Sequence, residues 1–146
     1  MVFRNILIAE DNVDHADLIL EGLLEGSPGI AVHRVSDGQL AIDYLEGAGE
    51  YSDREAHPIP ELIMLDIKMP RKTGLEVLKH IKTDAKWRYI PVVMLTTSRK
   101  ADEVNLAFEL GACSYLVKPE EYEEFMSKMS EMKKYWQDVS ERPSKS

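Results

Sequence analysis

The sequence predicts an α/β domain of the (βα)5 kind, a doubly wound, five-stranded parallel sheet with helices on both faces. Three observations lead there. Short apolar runs alternate with longer segments of helical period along the whole chain. Three of the runs are apolar at nearly every position, as in strands buried on both faces of a parallel sheet. The chain also has 146 residues, the length of one ordinary domain.

The strands are expected at residues 6–9, 30–35, 62–65, 92–95 and 115–117. Between them, Ala16, Ile19, Leu20, Leu23 and Leu24 share one face of a first helix. A capping Ser36-Asp37 opens a second, marked by Leu40, Ala41, Tyr44 and Leu45. Leu75, Leu78 and Ile81 line a third, which starts on the capping-box pattern Thr73-Gly74-Leu75-Glu76. Val104, Ala107, Phe108 and Leu110 give a fourth, stopped by Gly111. Tyr122, Phe125, Met126, Met129 and Trp136 stripe a long fifth, while Met132 and Tyr135 face another way and suit a partner. Right-handed crossovers then place helices on both sides of the sheet. Residues 46–60 break the rhythm as a connection rich in Gly, Pro and charge. The division expected is a domain over residues 1–139 and a disordered tail over 140–146.

Charge and cysteine content exclude several functions. Asp and Glu number 26 against 18 Lys and Arg, for a net charge of −8. Such a field repels nucleic-acid backbones and anionic lipid, so neither nucleic acid nor membrane is expected as a partner. Lys128, Lys133 and Lys134 are too sparse to reverse this and instead complement the dipole of the last helix. Cys113 is the only cysteine, read as a small buried hydrophobe, so no internal disulfide can form. The apolar start is too short for a signal peptide, and a cytoplasmic location is expected.

Ligands of open parallel sheets bind beyond the carboxyl ends of the strands. Glu10-Asp11 follows the first strand and Asp66 the third; Thr96-Thr97-Ser98 ends the fourth and Lys118-Pro119 the fifth. Each alone is an ordinary turn or cap residue. Together they place three carboxylates, a hydroxyl and an ammonium on one rim. Carboxylates so close repel one another unless a cation lies among them, and oxygen ligands favour Mg²⁺. One carboxylate can then attack a phosphoryl group while the cation and an ammonium neutralise its oxygens. This assigns attack to Asp66, cation binding to Glu10 and Asp11, and the grip on the phosphoryl group to Thr96 and Lys118. Met69-Pro70 forces a turn that aims the Lys68 main-chain carbonyl at the cation. Of His15, His33, His57 and His80, only His15 is placed near this rim.

These residues resemble the receiver domains of two-component response regulators. The resemblance rests on Glu10-Asp11, on the run from Asp66-Ile67-Lys68-Met69-Pro70 through Arg71-Lys72-Thr73-Gly74, on Leu95-Thr96-Thr97, and on Tyr115-Leu116-Val117-Lys118-Pro119. Intervals of 30 residues from Asp66 to Thr96 and 22 from Thr96 to Lys118 also match. It implies a flavodoxin- and CheY-like sheet of order 2-1-3-4-5, and a phosphoryl group accepted on Asp66 from a phosphohistidine of a sensor histidine kinase. It implies Mg²⁺ or Mn²⁺ on Glu10 (through water), Asp11, Asp66 and the Lys68 carbonyl. Thr96 and Tyr115 become the switch pair, and Lys118 the amine on the phosphoryl group. Glu10 stands where many relatives have Asp, whereas Lys68 and Thr97 occupy positions that tune rates. The loop at 46–60 resembles single-domain regulators paired with bacterial phytochromes.

With no effector segment following, the expected output is contact with a downstream protein through the fourth helix, fifth strand and fifth helix, a face that also suits a homodimer. Two other functions stay open. An aspartate-nucleophile phosphohydrolase uses similar chemistry but wants a second carboxylate where Lys68 stands. A phosphate-independent interaction domain has no need of the complete set of anchors.

Overall fold

A computed structural model describes residues 4–26 and 29–136. The tail expected at 140–146, and the boundary at 139, lie outside the described residues. The elements run β1 (Asn5–Ala9), α1 (Val13–Leu24), β2 (Ala31–Val35), α2 (Gly38–Glu46), a 3₁₀ turn (Gly49–Tyr51), β3 (Leu62–Leu65), α3 (Gly74–Thr83), β4 (Val92–Thr96), α4 (Ala101–Glu109), β5 (Ser114–Val117) and α5 (Tyr122–Lys134). The strands form one parallel sheet in the order β2-β1-β3-β4-β5.

Side-chain alternation along the central strands divides the interior into two cores. Leu7, Ile63, Leu65, Val92 and Met94 point to one face, where Tyr44 and Leu45 of α2, Val77, Leu78 and Ile81 of α3, and Ala107 of α4 cover them. Ile6, Ile8, Leu62, Met64, Val93 and Leu95 point to the other, beneath Ile19 and Leu23 of α1 and Phe125 and Met129 of α5. This explains why the runs in β1, β3 and β4 are unbroken: both pleats are buried. At Gly22 the helices α1 and α5 approach so closely that a Cβ would lie 2.8 Å from Met129 Cβ.

The helices depart from their sequence stripes where the sheet narrows. In α4 only Ala107 is buried, while Phe108 is 50% exposed and Leu106 41%. One short helix over the thin β4–β5 edge cannot cover its whole apolar face. Leu20 and Leu24 of α1 and Tyr122 of α5 are likewise exposed. Met132, expected to face outward, is buried with Trp136 in the α1–α5 core, while Tyr135 is exposed. Cys113 corrects its expectation too: it is exposed, with its thiol donating to the Val92 carbonyl at 3.1 Å.

Residues 46–60 are folded against α2. Tyr44 Oη donates to the Pro58 carbonyl at 2.9 Å, and the Arg54 guanidinium reaches the carbonyls of Tyr44, Leu45 and His57. These carbonyls include orphan acceptors at the helix end, so Arg54 acts as a C-terminal cap. Tyr44 and Tyr51 meet with ring centroids 5.2 Å apart, and His57 stands edge-on to both.

Candidate functional site

Because every strand is parallel, the carboxyl ends of β1, β3, β4 and β5 form one rim. Glu10 and Asp66 follow β1 and β3, which are paired in register through Ala9 and Leu65. Thr96 closes β4 opposite Val117, so Lys118 emerges beside it, with its N–H donating to the Thr96 carbonyl at 2.8 Å. Glu10, Asp66, Thr96 and Lys118 are all buried, an unusual concentration of polar groups in an apolar interior.

The Lys118 ammonium binds this set together. Its Nζ donates to Asp66 Oδ2 at 2.9 Å, to Glu10 Oε1, and to His15 Nδ1 at 3.0 Å. The Lys118 side chain is only 2% exposed, so two carboxylates and an ammonium share a nearly dry space. Burial pushes the Glu10 carboxyl up to about 7, against the opposing pull of Lys118. Burial also acts on Asp66, but there the Lys118 charge and hydrogen bonds from Lys118 and Thr96 outweigh it. They hold Asp66 below the ordinary carboxylate range, and so ionised at neutral pH. Its second oxygen, Oδ1, accepts from the Ile67 N–H at 2.7 Å.

Backbone contacts fix the loops that carry these groups. The acidic turn is clamped from β2: Arg34 Nε and Nη2 donate to the Glu10 carbonyl at 3.0 and 2.8 Å, and Nη2 also reaches the Asp11 carbonyl at 3.4 Å. Asn12 caps α1 by accepting from the His15 N–H at 3.0 Å. On the other side, a Cβ on Gly74 would lie 2.0 Å from the Asp66 carbonyl oxygen, so only glycine lets α3 start directly behind Asp66. Thr73 and Glu76 close the capping box of α3. Arg71 takes a left-handed φ of 66° and pairs with Asp37 at 3.0 Å, tying the β3–α3 loop to the cap of α2.

The structure brings together Glu10, Asp11, Asp66, Thr96 and Lys118. Carboxylate oxygens of Glu10, Asp11 and Asp66 lie within 4.8 Å of one another, an all-oxygen donor set suited to a hard divalent cation. Asp11 is exposed and lines a cleft of about 460 Å³ with Lys68, Met69, Thr73 and Glu103. Lys68 is exposed at its rim. Thr97 is exposed, in a cleft shared with Lys118, Arg99 and Glu120. Tyr115 stands apart from the carboxylates: half-buried on β5, it donates through its hydroxyl to the Ser98 carbonyl at 3.0 Å. Thr96 Oγ1 accepts from the Ser98 N–H at 3.3 Å, so Thr96 and Tyr115 meet at the same residue of the β4–α4 loop. Sequence reasoning placed Ser98 on the rim without a role and passed over Arg34. Arg34 becomes visible only through strand pairing, which sets it opposite Ile8, two residues before Glu10.

Comparison with known proteins agrees with this geometry. The family model of the response regulator receiver domain matches residues 6–130. A probable methanogenesis regulatory protein, FilR2 of Methanothrix harundinacea, is 37% identical over 134 residues, covering 90% of this chain and 82% of its own length. Response regulator Rcp1 of Synechocystis sp. is 33% identical over 138 residues, covering 94% and 92%. Among solved structures, the phosphorylated cyanobacterial phytochrome response regulator RcpA superposes with a TM-score of 0.90 at 33% identity, covering 97% of this chain and 99% of its own. The Mn²⁺-bound form of Rcp1 superposes with a TM-score of 0.83 at 33% identity and the same coverage.

Proposed function

The chain belongs to the response regulator receiver domain family, and from that premise we propose that it is a phosphoacceptor switch of a two-component relay, with Asp66 the acceptor. The observation that carries this reading is the buried Lys118 ammonium shared between Asp66 and Glu10 at the strand ends. A carboxylate oxygen of the ionised Asp66 attacks phosphorus as the P–N bond to a kinase imidazole breaks. The bonding electrons return to the imidazole, which takes up a proton. Lys118, already 2.9 Å from Asp66 Oδ2, neutralises a transferred oxygen, and the Thr96 hydroxyl donates to another. Glu10 through water, Asp11, Asp66 and the Lys68 main-chain carbonyl would hold Mg²⁺ or Mn²⁺. When bound, that ion neutralises phosphoryl charge as a Lewis acid. The Mn²⁺-bound relative supports this cofactor assignment.

The phosphoryl donor in this reading is a sensor histidine kinase, of the phytochrome kind by likeness to relatives named as phytochrome response regulators. Signal leaves by contact with a downstream protein. As Thr96 turns toward the phosphoryl group, the β4–α4 loop and Tyr115 rearrange, shifting the population of the α4–β5–α5 surface. The exposed Leu106 and Phe108 give that surface apolar area for a partner or a second copy of the chain. Lys68 and Thr97 flank the acceptor and set the rate of phosphoryl loss; Lys68→Ala and Thr97→Ala each change that rate. A cytoplasmic setting suits the chemistry, and among the described residues no helix is long and apolar enough to cross a membrane.

The test is incubation with Mg²⁺ and acetyl phosphate followed by intact-mass measurement, with Asp66→Asn as control. A stoichiometric, acid-stable, base-labile adduct absent from the control is expected. Continuous turnover without an adduct means a hydrolase instead. No adduct despite Mg²⁺ binding means a phosphate-independent interaction domain.

A further inference from the structure

Lys118 has three ammonium protons, and each finds a different acceptor: Glu10 Oε1, Asp66 Oδ2 and His15 Nδ1. The first two acceptors also belong to the carboxylate cluster that suits a cation. The third does not. His15 sits on the first turn of α1, half-buried at the edge of the site, and its main-chain N–H is fixed by Asn12 Oδ1. An ammonium only donates, so Nδ1 must carry the lone pair and the ring proton must sit on Nε2.

A neutral acceptor serves Lys118 differently from a carboxylate. Glu10 directs the ammonium but also cancels its charge, which a phosphoryl oxygen needs. Imidazole directs it and leaves the charge intact. Because α1 carries His15 and neither β1 nor β3 does, the contact also persists when Glu10 or Asp66 takes another partner. We infer that His15 is a positioning residue that keeps the Lys118 ammonium aimed at Asp66. Burial, followed by the neighbouring Lys118 charge, lowers the His15 pKa and favours the neutral ring the contact requires. The consequence for phosphoryl transfer rests on the reading of Asp66 as acceptor; the contact itself does not.

The experiment therefore has two arms. In metal-free, ¹⁵N-labelled protein at neutral pH, the His15 ring is expected as the Nε2–H tautomer, with the Lys118 ammonium protected from solvent exchange. His15→Ala shifts the Lys118 signal or loses it to exchange while distant amides stay in place. His15→Asn, whose Oδ1 can stand near the position of Nδ1, restores it. A protonated Nδ1, or a Lys118 signal indifferent to His15→Ala, overturns the inference. In the second arm, acetyl phosphate labels His15→Ala roughly tenfold more slowly than wild type and His15→Asn within about twofold. Equal rates for wild type and His15→Ala also overturn it. If wild type forms no adduct while His15→Ala still moves the Lys118 signal, the acceptor reading fails and the positioning contact stands.

Discussion

Two clusters in this molecule have nearly the same local geometry and opposite surroundings. Glu10, Asp11 and Asp66 offer oxygens within 4.8 Å of one another, and so do ligand atoms of Glu46, His80 and Asp84 on the other side of the domain. Each cluster contains a lysine: Lys118 in the first, and in the second Lys86, 2.9 Å from Glu46 and 3.9 Å from Asp84. The Lys86 side chain is 60% exposed, that of Lys118 only 2%. Spacing alone does not make a site. The first cluster gathers residues from the ends of separate strands in a space with little water, where charge interactions are strong and proton affinities move. The second joins the end of α2 to the last turn of α3 and the segment after it, where water screens the charges and Trp87 Nε1 and Lys86 anchor Glu46 as a surface brace.

Removing the lysine from the first cluster is the strongest test of this contrast. Lys118→Met leaves two buried carboxylates without a counter-charge, and metal-free protein at pH 8 is expected to lose about 3–5 kcal/mol of unfolding free energy in urea. Without Lys118, the carboxylates hold protons more tightly in the folded state. The lost stability therefore returns as pH falls, and Mg²⁺ at pH 8 restores part of it. An equally stable Lys118→Met protein would show that the first cluster is solvated like the second.

Mg²⁺ affinity should come next in size. The folded protein holds a proton on Glu10 up to about pH 7, well above the ordinary value of 4.5, so between those limits a cation must displace it. Affinity is expected to climb as pH rises toward 7 and to level off above it, by up to about tenfold per pH unit. Calorimetric titration across that range checks this, and a flat profile would contradict it. Arg34→Ala should be smaller, weakening Mg²⁺ binding about tenfold by loosening the carbonyls of the Glu10–Asp11 turn, as loss of outer-shell support does elsewhere. The smallest effect belongs to the second cluster. Glu46→Gln is expected to move the urea midpoint slightly and the Mg²⁺ affinity not at all; a large change in either would make it more than a brace.

The same contrast explains what was legible in the sequence. Asp66, Thr96 and Lys118 could be singled out because each sits at or just after the end of an apolar run, and a parallel sheet gathers those ends. Glu46, His80 and Asp84 carry no such marker, since their meeting depends on how two helix ends pack. Arg34 is invisible for the same kind of reason: it looks like one polar residue of an edge strand until pairing sets it opposite Ile8. The exposed Phe108 and buried Met132 reversed their expected sides because helical period gives an apolar stripe without its width or direction.

Hydrophobic period is a local property of the chain, and it laid down the alternation of strands and helices and the strand ends where polar groups would collect. Membership in the receiver family was legible in the anchors from Glu10 to Lys118. Tertiary structure decided which of those groups share a proton donor, that His15 is the third acceptor of Lys118, and that Gly74 must lack a side chain behind Asp66. Those outcomes depend on distances between segments remote in sequence, and on the burial of Glu10, Asp66 and Lys118 in one cluster against the exposed Lys86 of the other.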